Sequence, residues 1–186
     1  GNYRPISVTS ILCKTMESVI RDQLLRRLES QGVLSNQQHG FTKHRSCLTN
    51  LLETFESWTR LIDEGFGVDV IYLDYSKAFD TVPHRRLLQK LADYGITGNV
   101  LRWIEEYLTG RQMRVRVRGH ESSWVLVRSG VPQGSVLGLL LFLLYVNELP
   151  TWIRSSIAMF ADDTKIWRKI SKAEDATLLQ EDLNKI

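Results

Sequence analysis

Three acids in this chain could do chemistry together. "MFADDT", residues 159–164, sets Asp162 beside Asp163, with the apolar stretch Ser156-Ile157-Ala158-Met159-Phe160-Ala161 before them and Lys165-Ile166-Trp167 after. Two adjacent carboxylates repel each other, by about 1 kcal/mol at ~4 Å in water and about 4 kcal/mol at an effective dielectric of ~20. Asp74 closes a β-prone run, "GVDVIYLDYS". Taken singly, each acid reads as a turn or strand-end residue, because aspartate is common in turns. A fold that lays the hairpin of Asp162 and Asp163 beside the strand ending at Asp74 would gather all three, and such a cluster needs protons or cations to neutralise it. Hard oxygen donors in this number suit Mg²⁺, with Mn²⁺ the alternative. Two such ions can activate an attacking hydroxyl and stabilise the leaving oxygen of an in-line phosphoryl transfer.

The elements that must position these acids are legible in outline. Ile11, Leu12, Met16, Val19, Ile20, Leu24 and Leu28 recur at helical spacing until Gly32. After the polar, basic loop "SNQQHGFTKHRS", Ser46 caps a second helix with Leu48, Leu51, Leu52, Phe55 and Ile62 on one face and Gly65 at its end. Val68, Val70, Ile71, Tyr72 and Leu73 form a nearly continuous β-prone run, the pattern of a central strand buried on both faces. Helices are predicted over about 84–94 and 98–108, stopped by Gly95 and Gly110. "RQMRVRVRG" alternates, with Met113, Val115 and Val117 on one side and Arg114, Arg116 and Arg118 on the other, and pairs with "SSWVLV" as a hairpin. The loop "SGVPQGS", an apolar helix over about 135–148, the hairpin around Asp162 and an amphipathic helix from about 173 complete the order. Helices interspersed with mainly antiparallel strands make this α+β.

The composition, 43% hydrophobic and 24% charged over 186 residues, is that of a globular protein and argues against disorder over most of the length. A net charge of +3 permits a polyanionic partner without demanding one. Cys13 and Cys47 lie in no CxxC or Cys/His cluster, which argues against zinc and for reduced, partly buried thiols in an intracellular protein, nuclear or cytoplasmic. The longest apolar run, "VLGLLLFLLYV", falls short of the ~20 residues that span a bilayer and reads as a core helix, so no membrane is expected as a partner. The first residue is Gly1 and the last residues, "EDLNKI", lie inside a helical pattern, so both ends look cut.

"VIYLDYSKAFDTVPH" (70–84), "SGVPQGSVLG" (129–138) and "FADD" (160–163) stand in the order and spacing of the palm motifs of reverse transcriptases, and "NYRPISV" (2–8) and "QHGFTKHRSC" (38–47) look like the fingers motifs that precede them. The chain resembles that family over nearly all its length, and "KAFDTV", "GVPQGSVLG" and "FADDT" resemble the non-LTR retrotransposon enzymes, particularly the jockey- and CR1-like groups. The resemblance implies a right-hand polymerase: an antiparallel palm sheet under helices with part of the fingers, about 1–66 as partial fingers and about 67–186 as mostly palm, the thumb absent. It implies an RNA-directed DNA polymerase that moves nucleotides from dNTP to a primer 3′-OH, with an RNA template, a DNA primer and dNTP as partners.

By the same resemblance, Asp74, Asp162 and Asp163 are the metal-binding acids. Phe79 matches the aromatic gate that excludes a ribose 2′-OH; as a residue alone it reads equally as a core aromatic. The backbone N–H groups of Tyr75, Ser76, Lys77 and Ala78 are placed to hold a triphosphate as a nest. Gln133, Gly130 and Gly134 match the loop near nucleotide and template, though the residues alone describe a tight turn into the apolar helix. Arg4 matches a fingers arginine that contacts the triphosphate. Lys43 and Arg45 are placed to hold phosphates, and the face of Arg114, Arg116 and Arg118 is either a backbone contact or a solvated strand face. Trp58 and Trp103 read as packing residues.

The sequence departs from the family's pattern at His44, where relatives have glycine, at Leu139 in place of proline, at Glu148 in place of aspartate, and at Phe160 in place of the tyrosine of the "YxDD" form. If position 44 needs φ > 0, histidine adds strain. None of these removes a metal ligand. The rival reading is a catalytically inactive retroelement remnant that at most binds nucleic acid.

Overall fold

A computed structural model describes residues 6–186. The chain forms two compact units, one from residues 6–33 and 77–145 and the other from 34–76 and 146–186, so each takes a stretch from either side of residue 66. Arg4 lies outside the described residues.

The second of these units is built on an antiparallel sheet. Its strands are β1 (Gly67–Leu73), β6 (Ser156–Phe160) and β7 (Asp163–Ile170), in the order β1-β7-β6. The middle strand is therefore β7. The expectation of a central, doubly buried β1 is overturned: β1 is an edge, its residues are half-buried or exposed, and Tyr72 is 70% exposed. An apolar run does not reveal which strands will pair with it, and β7 wins the centre by pairing locally with β6 and at long range with β1.

Helix α2 (Cys47–Asp63) belongs to this unit, starting where Ser46 Oγ accepts the Thr49 N–H at 3.2 Å. Its buried positions are Asn50 and Thr54, whereas Leu48, Leu52, Phe55 and Ile62 are exposed. The predicted apolar stripe is thus the outer face, because Asn50 turns inward to donate to the Met159 carbonyl at 3.1 Å. Trp58 packs edge-on against Trp167. With the short helix α7 (Leu149–Trp152) and α8 (Ala173–Lys185), the sheet encloses Leu149, Ile153, Ile157, Met159, Ile166 and Leu179. At the start of β6, buried Asp182 accepts the N–H groups of Arg154 at 3.0 Å and Ser155 at 2.8 Å and the Lys185 ammonium at 2.8 Å. Burial alone would raise its pKa; Lys185 and the Ser155 and Arg154 bonds outweigh that and hold it at about 2.

The other unit is mostly helical: α1 (Ile11–Ser30), α3 (Ala78–Thr81), α4 (His84–Asp93), α5 (Gly98–Leu108) and α6 (Val136–Val146). The apolar α6 is buried along nearly its whole length, as its sequence predicts, and Leu28, Leu87, Leu91, Ile104, Leu108, Leu137 and Leu141 are fully inaccessible. Helix α1 departs from its predicted stripe. Ile11, Leu12, Met16 and Val19 are exposed, and Glu17, Leu24 and Leu28 are buried. The arginine-rich hairpin is two short ribbons, β2 (Gln112–Met113) with β5 (Val125–Leu126) and β3 (Arg116–Val117) with β4 (His120–Glu121). The three arginines do not share one strand face: only Arg116 lies in a ribbon strand, Arg114 lies between β2 and β3, and Arg118 and Gly119 form the turn, both at positive φ (49° and 85°). Both cysteines are exposed, not partly buried, because each lies in the first turn of a helix whose apolar side faces out. No helix among the described residues is long and apolar enough to cross a membrane.

Candidate active site

The strand register brings the three acids to one end of one sheet. Leu73 pairs with Thr164, and Phe160 pairs with Asp163 across a two-residue turn, Ala161-Asp162. Asp74 follows Leu73 directly and so leaves β1 at that same end. The acids are thus at a hairpin tip beside the end of a strand, as expected. Asp74 and Asp163 are exposed and Asp162 is half-buried. Among the described residues no group of three or more His, Cys, Asp or Glu side chains is gathered as ligands. The donor chemistry, three carboxylates reachable from solvent at one sheet end, fits a hard divalent cation.

The turn that carries Asp162 is held from outside the hairpin, by residues the sequence reading left without a role. Ala161 is buried and sits at φ +57°, where L-residues other than Asn, Asp and His are uncommon. Gln38 grips its backbone: the Oε1 oxygen accepts the Ala161 N–H at 2.9 Å, and Nε2 lies 3.4 Å from the Ala161 carbonyl. The same Oε1 accepts the Gly40 N–H at 2.7 Å. A Cβ on Gly40 would collide with the Ala161 nitrogen. Next to this, the Gln37 carbonyl accepts from Met159 N–H and His39 N–H donates to the Met159 carbonyl, both at 2.9 Å. The "QHG" segment thus pairs along β6 as an extra bridged stretch and fixes its exit into the turn.

His39 is 1% exposed. Its Nδ1 lies 2.9 Å from Thr49 Oγ1, whose own proton goes to the Ser46 carbonyl, so Nδ1 is the donor. Nε2 then accepts from Arg45 Nη1 at 2.9 Å. Burial lowers the His39 pKa; the Glu53 carboxylate, 3.2 Å from Nε2, pulls upward and Arg45 downward, and burial prevails. Arg45, expected to hold phosphate, is occupied by His39 and by Glu53 at 3.8 Å. Lys43 is exposed. His44 has φ +60°, so the expected strain is present there, at a residue that tolerates this conformation better than most.

In the helical unit the structure brings Phe79 to the "SGVPQGS" loop. Val131 N–H donates to the Phe79 carbonyl and Gly130 N–H to the Val82 carbonyl, both at 2.8 Å. His84 Nε2 donates to the Gly130 carbonyl at 2.8 Å, and Ser129 Oγ to the Asp80 carbonyl at 2.9 Å. Gly130, at φ +90°, has no room for a Cβ, which would stand 2.7 Å from Asp80 Cα. The Phe79 ring is 9% exposed and stacks on Phe142, with centroids 4.1 Å apart, so it is packed as a core aromatic. Lys77, at φ +52°, turns the chain from Asp74 and Tyr75 into α3; its carbonyl accepts from Asp80 and Thr81. The Tyr75 hydroxyl is buried without a hydrogen-bond partner among the described residues, and burial raises its pKa. Ser76 and Lys77 are exposed and Ala78 is half-buried.

The arginines of the ribbons are only partly available. Arg114 pairs with Glu121 and lies over the Trp124 ring, and Arg116 is 3.8 Å from Glu121. Trp103 stacks on Tyr107, a packing role as expected.

The reverse transcriptase (RNA-dependent DNA polymerase) family matches residues 1–186. The chain belongs to that family. Its relatives are polymerases of non-LTR retrotransposons. It is 31% identical, over 95% of its length, to a probable RNA-directed DNA polymerase from transposon X-element of Drosophila melanogaster, of which it covers 20%. It is 29% identical over 98% of its length to the RNA-directed DNA polymerase from mobile element jockey of Drosophila funebris, covering 21%. With a Pol polyprotein from retrotransposable element R2 of Popillia japonica it shares 31% identity over 84% of the chain, covering 22% of that protein. The chain spans about a fifth of the length of these relatives. The structure of apo telomerase from Candida tropicalis, truncated from its C-terminal domain, superposes with a TM-score of 0.60 at 12% identity, over 90% of this chain and 36% of that one. That likeness shows the right-hand polymerase fold.

Proposed function

We propose that this chain is the catalytic part of an RNA-directed DNA polymerase of a non-LTR mobile element, with residues up to about 66 as partial fingers and about 67–186 as mostly palm. The observation that carries the reading is the register that ends β1 at Leu73 opposite Thr164, so that Asp74 and the Asp162-Asp163 hairpin lie at the same end of the sheet. Asp74 and Asp162 would bind Mg²⁺, or Mn²⁺, with Asp163 supporting them. When bound, such a cation lowers the pKa of an attacking hydroxyl and neutralises developing charge on phosphate oxygens. In the reaction the primer 3′-oxygen forms a bond to the α-phosphorus of a dNTP, the bond from that phosphorus to the bridging oxygen breaks, and pyrophosphate leaves.

The other roles fall to the remaining motifs. Gln133 would hydrogen-bond the sugar or base of the nucleotide, with Gly130 and Gly134 allowing close backbone approach. Phe79 would meet the sugar edge that carries the 2′-OH. The N–H groups of Tyr75 to Ala78 would face the triphosphate, and Arg4 would contact it too. Lys43 and the ribbon arginines Arg114, Arg116 and Arg118 would contact phosphates of the RNA template or DNA primer, without regard to sequence and with an affinity that falls as salt rises. Such an enzyme works inside the cell.

The test is primer extension by the full-length protein that carries these residues, on poly(rA) primed with oligo(dT), with dTTP and Mg²⁺. Asp74→Asn and Asp162→Asn should each abolish extension; near-wild-type extension by either sinks the metal assignment, and no extension by the unsubstituted protein supports an inactive remnant. Phe79→Ala should raise rNTP incorporation if the ring acts as a gate.

A further inference from the structure

Glu17 is a carboxylate at a buried position of α1. It is 2% exposed, on the side of α1 that also buries Leu24 and Leu28. Burying a charge costs several kcal/mol unless specific partners offset it. The partners lie far along the chain: Glu17 Oε2 accepts the N–H of Val136 at 2.8 Å and of Leu137 at 3.0 Å, the first two residues of α6. Those are two of the donors that a helix start leaves without partners, and a negative charge there is favoured by the helix dipole. The third, Gly138 N–H, goes to Ser135 Oγ at 3.0 Å, and Ser135 in turn donates to the Pro132 carbonyl at 2.9 Å.

An ordinary serine cap already satisfies the start of an apolar helix in part. A buried carboxylate brought from α1 does more, because it ties the place where α6 begins to a different helix. Gln133 lies three residues before Val136. Its carbonyl accepts the Ser7 N–H at 2.8 Å. At Gly134, φ +95°, a Cβ would meet Ile6 Cγ2 at 2.9 Å. The stretch from Ile6 to Glu17 therefore holds the loop on both sides of Gly134. The Tyr107 hydroxyl and Glu17 Oε1 are both buried, and Glu17 and Ser135 both lie close enough to that hydroxyl to act on it. Burial first, and then the adjacent Glu17 charge, keep that phenol protonated, with a pKa pushed up to about 12 although Ser135 and Arg111 pull it down.

We propose that Glu17 is a positioning residue for the nucleotide-facing loop, setting through the first turn of α6 the place from which Gln133 meets the incoming dNTP. This rests on the polymerase reading above. It predicts that Glu17 acts through Gln133, and a merely structural carboxylate would not.

The experiment is a double-substitution cycle in the full-length protein, with dTTP on poly(rA)/oligo(dT), reading KM and kcat separately, with thermal unfolding followed alongside. Glu17→Gln keeps the shape and an acceptor oxygen and removes the charge; Glu17→Leu removes both. KM for dTTP should rise by roughly threefold for the first and roughly tenfold or more for the second, since small displacements of a positioning group are expensive. In a Gln133→Ala background the same Glu17 substitutions should raise KM little further, because sites that act as one unit are not additive. Additive effects on KM, an unchanged KM, or a Glu17→Gln protein that fails to fold would each overturn the inference. A wild-type protein without extension, or an Asp74→Asn protein that extends normally, would instead overturn the polymerase reading on which it rests.

Discussion

The FADD turn and the PQGS loop solve one problem with opposite chemistry. Each is a tight turn carrying residues proposed to act on nucleotide or metal, and each is held by one buried side chain from the first forty residues. At the FADD turn that side chain is Gln38, a neutral amide with acceptor and donor turned to the N–H and carbonyl of Ala161. At the PQGS loop it is Glu17, a charged carboxylate on two N–H groups of α6. The surroundings account for the difference. Asp162 and Asp163 follow Ala161 directly, so a carboxylate at position 38 would add repulsion, whereas a helix start offers unpartnered donors and the positive end of a dipole. The clamp takes the charge its neighbours can neutralise.

The largest effects should come from removing the space both turns need. Gly40→Ala and Gly130→Ala each push a methyl group into backbone, against Ala161 in one case and Asp80 in the other. Each should cost about 3 kcal/mol or more, with Gly130 also strained at φ +90°. Denaturant unfolding reads this, and a loss below about 1 kcal/mol would mean that the clamp yields easily. Gln38→Leu comes next. It strands the buried N–H groups of Ala161 and Gly40, at about 1–3 kcal/mol for each donor left unpaired. Asp182→Asn should remove about 2 kcal/mol at neutral pH, one pKa unit being worth ~1.4 kcal/mol. The folded pKa of Asp182, about 2, lies below the usual value of 3.8, so its contribution is present above about pH 4 and fades as pH falls toward 2. Thermal melts over that window should converge for wild type and variant.

The smallest effect is the most diagnostic. Gln38→Glu keeps the acceptor and adds a charge beside two others. The new carboxyl should have a raised pKa in the folded protein, so the variant should approach wild-type stability below about pH 4 and lose stability as pH rises toward neutrality. A flat difference across that range would break the contrast between the two clamps.

The helices and the succession of elements along the chain are readable because periodicity and glycine stops are local signals; α4, α5 and α6 lie within a few residues of their expected places. What escaped was whatever depends on a distant partner. β1 looks central by composition, but centrality is decided by β7 pairing on both its edges. On α2 the apolar stripe faces outward, because Asn50, bonded to the Met159 carbonyl, takes the inner face. Arg118 alternates correctly along the string and still leaves the strand, because it and Gly119 supply the turn. The three acids stand out by type and order, and the strand pairing sets them at one end of the sheet. Gln38 and Glu17 carry no type signal of their own. Glu17 did leave a trace, since it stands seven and eleven residues before Leu24 and Leu28 and so interrupts their stripe with a charge.

Ala161 gives position 161 a stereochemical meaning. Its φ of +57° belongs to the basin that L-amino acids avoid and their mirror images prefer. A D-alanine placed there by chemical ligation would keep the chain direction and both Gln38 bonds and relax the backbone. Glycine would relax it too, but would give up a buried methyl group and let the turn sample other shapes. The left-handed residue just before Asp162 thus marks a place where a mirror-image building block should fit the natural chain better than the natural residue does.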